Sequence, residues 1–194
     1  MLISDKCPMM QRTQGVSHPI PSQTYFQAYG HASPGSVCWN WWKSNLSGVI
    51  PTLGRENRLS FLFNPSSYTS TEWTNIFHLT VGGNDKRYED RTPAIFFRAS
   101  DGLMVASAVN GNPNYSQNFQ SSFLTLNQWN LIVISQTKKE DIYIFNINIG
   151  GEDFGTEARI AASEFKNVQV FASDSYFSAF PGSIKDLTIT SDTC

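Results

Sequence analysis

The chain has 194 residues, 40% of them apolar and 15% charged, with a net charge of −2. That length suits one domain, and its 14 Phe, 7 Tyr and 5 Trp with so little charge exclude a disordered chain and a coiled coil. No basic run offers a nucleic-acid surface, and no apolar stretch approaches the roughly 20 residues that span a bilayer.

Residues 1–36 read as an irregular arm, with Pro8, Pro19, Pro21 and Pro34, many Gln and Ser, and no lasting periodicity. From residue 37 to 194 the pattern becomes short β-like runs between turn clusters. Cys38-Trp39-Asn40-Trp41-Trp42 opens it; alternation puts Trp39 and Trp41 on one face and Trp42 on the other. Leu59–Phe63 alternates and is broken at Asn64-Pro65. Trp73–Val81 follows and ends at Gly82-Gly83-Asn84-Asp85. Ala94–Phe97 and Leu103–Val109 are joined by Asp101-Gly102, a hairpin turn signal. Trp129–Ser135 and Ile142–Ile149 form a second pair, stopped by Gly150-Gly151, and Val168–Ala172 and Ile184–Ile189 complete the series. Trp73 and Trp129 read as sheet-packing residues, and Asp174 as a turn residue. No segment has a convincing helical period. Eight to eleven strands of this kind predict an all-β, antiparallel two-sheet jelly-roll sandwich.

Abundant Asn, Ser, Thr and Gly, scarce Lys, and sequons at Asn45 and Asn114 suggest a secreted protein, although Met1–Lys6 has no basic segment leading into an apolar core. The three cysteines, Cys7, Cys38 and Cys194, contain no C-x-x-C pair and offer no zinc site. Three pairings are open. Cys38 with Cys194 would bracket the predicted domain, since domain termini are often close, and would leave Cys7 to join two chains.

Three stretches carry a resemblance. Trp129–Gln136 runs into Ile142–Gly151; Phe165–Asp174 is followed by Pro181-Gly-Ser-Ile-Lys-Asp-Leu-Thr-Ile; and Thr74–Asn84 leads through Asp90–Phe97 to Ser107–Asn112. The first two resemble the laminin-G, pentraxin and concanavalin-A-like superfamily. All three together, over roughly residues 46–190, are similar to galactose-binding lectins of sea anemones. The resemblance implies calcium-assisted binding of a β-galactoside and a covalent or tight dimer. The galectin pattern itself is missing: no Trp-Gly-x-Glu-x-Arg segment occurs.

A sugar site needs fixed donors and acceptors, an apolar face for the C–H side of the ring, and a rigid scaffold. Asn84–Arg91 is the densest candidate, with three carboxylates, one amide and two arginines in a chain poor in charge. Asn84, Arg87, Glu89 and Arg91 are the expected sugar ligands there, and Asp85, Glu89 and Asp90 the expected calcium ligands. The same loop also reads as a solvated, salt-bridged turn. Asn110, Asn112 and Tyr115 supply amides and a stacking ring in a second loop, although Asn and Gly also simply make turns. His78, ending an apolar strand, joins the candidate ligands, although a satisfied core histidine is the commoner reading.

Enzyme chemistry is poorly served. No Glu-x-Asp-x-x-Glu run, nucleophile elbow, His-Glu-x-x-His or phosphate loop is present. The expectation is a secreted, non-enzymatic lectin for galactose-terminated glycans, with calcium and a homodimer that Cys7 could link by a disulfide. A laminin-G-like adhesion module with a protein partner is the alternative.

Overall fold

The computed structural model describes residues 22–27, 46–67, 72–84, 89–98, 102–108, 116–120, 124–159, 162–174 and 176–192. Their regular elements are all strands: β1 (Ser22–Gln27), β2 (Leu46–Leu53), β3 (Asn57–Pro65), β4 (Thr74–Thr80), β5 (Ala94–Arg98), β6 (Gly102–Ala108), β7 (Ser116–Gln120), β8 (Asn130–Lys139), β9 (Ile142–Ile149), β10 (Glu152–Arg159), β11 (Phe165–Phe171), β12 (Ser178–Ala179) and β13 (Gly182–Asp192). They make two sheets, a six-stranded one in the order β1-β13-β3-β8-β9-β10 and a seven-stranded one in the order β2-β11-β4-β5-β6-β7, with β12 added beside β4. Every pairing is antiparallel except that short β12–β4 contact. The protein is the antiparallel jelly-roll sandwich that the alternation predicts. One difference lies in the stretch read as an irregular arm: Ser22–Gln27 is a strand paired with β13, Ser22 opposite Asp192. The cysteines and the Trp39–Trp42 cluster lie outside the described residues.

Alternation builds the core between the sheets. Leu59, Phe61 and Phe63 of β3 point inward, as do Ile132 and Ile134 of β8, and they meet Phe77, Ile95, Phe97, Val168 and Val170 from the other sheet. Aromatic rings bridge the layers: Phe61 stacks near Phe77 with centroids 6.3 Å apart, and Phe63 lies 4.7 Å from Phe180 and 5.9 Å from Phe97. Such pairs add to the burial of their area.

The outward face of the seven-stranded sheet matters more for function. Ala94 and Phe96 of β5 form a second, smaller cluster there with Trp73, Met104 and Phe177. In β4, a register shift between Asn75 and Phe77 lets Ile76 and Phe77 both enter the main core. A bulge inserts one residue and so resets the alternation. His78, opposite Ala94 on one side and Phe171 on the other, therefore points outward. On the other sheet Trp129, expected to pack, keeps 38% exposure beside exposed Leu131, with Lys185 Nζ 4.1 Å from its ring centroid.

Candidate functional site

The loop after β4 is tied back onto its own strand. Val81 N donates to Glu89 O at 3.0 Å, Thr92 N to Leu79 O at 2.9 Å, and Leu79 N to Pro93 O at 2.9 Å. Thr80 Oγ accepts from Gly82 N and Gly83 N and donates to Gly83 O. Gly83 makes a close approach: a Cβ there would fall on the Asp90 carboxylate, which would have to move aside. These bonds leave the loop base with little freedom, as a recognition loop on a rigid scaffold requires.

A buried polar bridge fixes the same loop from beneath. His78 Nε2 lies 2.5 Å from the Asp90 carbonyl, and His78 Nδ1 lies 2.8 Å from Asp174 Oδ2. The two side chains are 0% and 1% exposed. A carbonyl oxygen only accepts, so Nε2 carries a hydrogen. A second hydrogen sits in the Nδ1–Oδ2 contact, on whichever atom, because two bare acceptors would repel there. Asp174 does more than turn the chain. Its Oδ1 accepts from Tyr176 N at 2.9 Å and Phe177 N at 3.0 Å, and its own N donates to Asn75 Oδ1 at 3.0 Å. The chain around 174 is thereby locked to β4 and, through His78, to the loop at Asp90. Ser173, just before it, has a φ of 74°, a strained backbone for a residue with a side chain.

Above this bridge the sequence candidates divide. Arg91 lies over Phe96 with Cζ 5.5 Å from the ring centroid and donates through Nη2 to Asn84 O at 3.1 Å. Asn84 Oδ1 is buried and has no hydrogen-bond partner among the described residues. Glu89 is exposed and Asp90 half-buried beside them. Asn84, Glu89, Asp90 and Arg91 are thus brought together. His78 lies below, with both nitrogens engaged inside the protein and no surface for a sugar, so its place is that of a support. Asp85, Arg87, Asn110, Asn112 and Tyr115 lie outside the described residues. The strand register still bears on the second loop. His78, Ala94, Ala106 and Asn118 are successive cross-strand neighbours. The strand ends Ala108 and Ser116, which flank 109–115, therefore sit at the same end of the sheet as Thr80 and Ala94.

Calcium takes six to eight oxygens. Of the expected ligands, the described residues bring Glu89 and Asp90, and among the described residues no group of three or more His, Cys, Asp or Glu is gathered for a metal. The Asp90 and Glu89 carbonyls already accept from His78 and Val81.

Sequence reading missed Asp174 as His78's partner, Asn75 as its anchor, and exposed Tyr176 beside them. No short-range signal joins positions separated by 96 residues. At the end of the six-stranded sheet where β3 begins and β13 ends is a small polar cleft of about 140 Å³ lined by Glu56, Arg58, Gln136, Thr137 and Asp192 among others. Burial first, and the neighbouring Glu56 charge second, raise the Asp192 carboxyl above its ordinary range.

No family model matches the chain, and neither does any curated protein. Solved structures with a similar backbone include the following three. A SAP-like pentraxin of Limulus polyphemus is 13% identical with a TM-score of 0.48, the match covering 74% of this chain and 67% of that chain. A galectin of Caenorhabditis elegans is 14% identical with a TM-score of 0.40, covering 82% of this chain and 100% of that one. The CBM40 module of the Ruminococcus gnavus IT-sialidase, solved with α2,3-sialyllactose, is 12% identical with a TM-score of 0.46, covering 72% and 76%. Such scores leave the architecture standing on the strand order and register described above.

Proposed function

We propose that the protein is a lectin that binds galactose-terminated glycans at the loop following β4, and that it is not an enzyme. The observation that carries this reading is Arg91, held over Phe96 with Cζ 5.5 Å from the ring centroid and bonded through Nη2 to Asn84 O, beside Glu89 and Asp90. A planar guanidinium presents a fork of donors, and Glu89 and Asp90 supply acceptors. Vicinal sugar hydroxyls need that mixture, held rigidly in advance of binding. The mechanism is recognition without bond making.

In this reading calcium assists, held by Asp85, Glu89 and Asp90. Two chains, joined through Cys7 or by a tight interface, give two sites and hence avidity for glycan-bearing surfaces, in an extracellular setting. A second reading is favoured by exposed Trp129 and Leu131 on the six-stranded sheet. There the chain would be an adhesion module meeting a protein partner through that face. A glycan panel, probed with and without EDTA, separates the readings. Binding of β-galactosides supports the lectin, and its loss in EDTA supports the metal. Failure to bind any glycan rejects the lectin and leaves the adhesion module.

A further inference from the structure

The outward face beside His78 carries an aromatic ring that the polar loop alone does not explain. Tyr176 is 51% exposed, more than Trp129, the other exposed large aromatic among the described residues at 38%. An exposed ring on a connecting segment is ordinarily mobile, but here the backbone that carries it is tied down. Its backbone N donates to Asp174 Oδ1 at 2.9 Å. Its neighbour Phe177 is bonded to the same oxygen and packs edge-on against Phe96 with centroids 4.9 Å apart. Asp174 is in turn fixed to Asn75 and His78. The Tyr176 ring centroid lies 6.4 Å from that of His78, whose other nitrogen holds the Asp90 carbonyl. Arg91, one residue further, rests on the same Phe96 ring that Phe177 touches. An exposed aromatic ring and a polar fork therefore flank one buried bridge.

We infer that Tyr176 is the stacking platform of the site, receiving the C–H face of a galactose ring while Arg91 addresses its hydroxyls. The inference rests on the lectin reading and narrows its ligand class. In a β-galactoside the axial 4-hydroxyl leaves the hydrogens on C3, C4 and C5 together on one face, a continuous apolar patch that fits an aromatic ring. In the 4-epimer, a β-glucoside, H4 lies on the opposite face from H3 and H5, so the patch on that face is smaller. A rigid aromatic ring of this kind gives contact area at small entropic cost. Tyr176 thus sets the preference between the epimers, and its phenol oxygen is not required.

The test titrates methyl β-galactoside and methyl β-glucoside into the full chain, with calcium present, for wild type, Tyr176→Ala and Tyr176→Phe. Wild type is expected to prefer the galactoside. Tyr176→Ala should weaken galactoside binding by about tenfold or more, and Tyr176→Phe by less than about threefold. The thermal midpoint of Tyr176→Ala should stay near that of wild type, since the ring is half in solvent. Saturation transfer from protein aromatic protons should reach H3, H4 and H5 of the sugar in wild type and Tyr176→Phe. A Tyr176→Ala protein that binds the galactoside like wild type overturns the inference and leaves the lectin reading intact. Equal affinity of wild type for both epimers overturns the selectivity. A wild type that binds neither sugar overturns this inference and the lectin reading together.

Discussion

Asp174 gives the most direct view of how buried chemistry supports the surface. Its side chain is 1% exposed and accepts from Tyr176 N and Phe177 N through one oxygen while meeting His78 Nδ1 through the other. Asp174→Ala removes all three contacts and strands a histidine nitrogen that is sealed from water. Breaking one partner out of such a buried pair costs about 3–5 kcal/mol. Asp174→Asn behaves differently. The amide oxygen still accepts from Tyr176 N and Phe177 N, and the amide nitrogen can donate to Nδ1 of a neutral His78 whose Nε2–H still faces Asp90. No buried group is left bare, so the cost should be about 1 kcal/mol. Urea unfolding reads the contrast. With a slope of about 2 kcal/mol per molar, the midpoint should fall by about 2 M for Asp174→Ala and about 0.5 M for Asp174→Asn. A midpoint for Asp174→Ala within about 0.5 M of wild type would refute the claim that this bridge fastens the loop. So would an Asn variant as unstable as the Ala variant.

Phe63→Ala, at a fully buried ring between Phe97 and Phe180, should cost about 3–5 kcal/mol and lower the thermal midpoint by roughly 10 °C in calorimetry. Gly83→Ala should push the Asp90 carboxylate off the loop; calorimetry should show weakened galactoside binding, with the thermal midpoint changed far less than by Phe63→Ala. The raised Asp192 carboxyl means the folded protein holds that proton more tightly than the unfolded chain. Its contribution to stability is therefore greatest in acid and is lost as pH rises through the folded value. Asp192→Asn should accordingly raise the melting midpoint at neutral pH, and the gain should vanish below about pH 3, where a carboxyl is protonated in both states.

Most of the architecture was legible because interior strands of a sandwich are rich in apolar residues. Leu59–Phe63 alternates between buried and half-buried positions, Ala94–Phe97 is apolar because both of its faces are buried, and the β8–β9 hairpin pairs as expected. The strands that escaped detection include all four sheet edges, β1, β2, β7 and β10. An edge has one strand neighbour and needs fewer apolar residues. The sequences Ser-Gln-Asn-Phe-Gln and Glu-Asp-Phe-Gly-Thr-Glu-Ala-Arg look like loops for that reason, and Pro51 and Gly48 disguise β2. The candidate site was legible as a charged loop in a charge-poor chain. Its support was not: His78 meets Asp174 only because β11 lies beside β4, a long-range pairing that local periodicity does not encode. Tyr176 was passed over for the same reason, since its rigidity comes from that bridge.

The central claim is that Arg91 and its neighbours form a site for galactose. It is tested most directly by calorimetric titration of lactose into wild type and Arg91→Lys side by side. The lysine keeps the charge but loses the planar fork that Arg91 holds over Phe96. The account predicts saturable heat for wild type and at least a tenfold weaker response, roughly, for Arg91→Lys at an unchanged melting midpoint. No heat from wild type, or equal titrations for the two proteins, would contradict it.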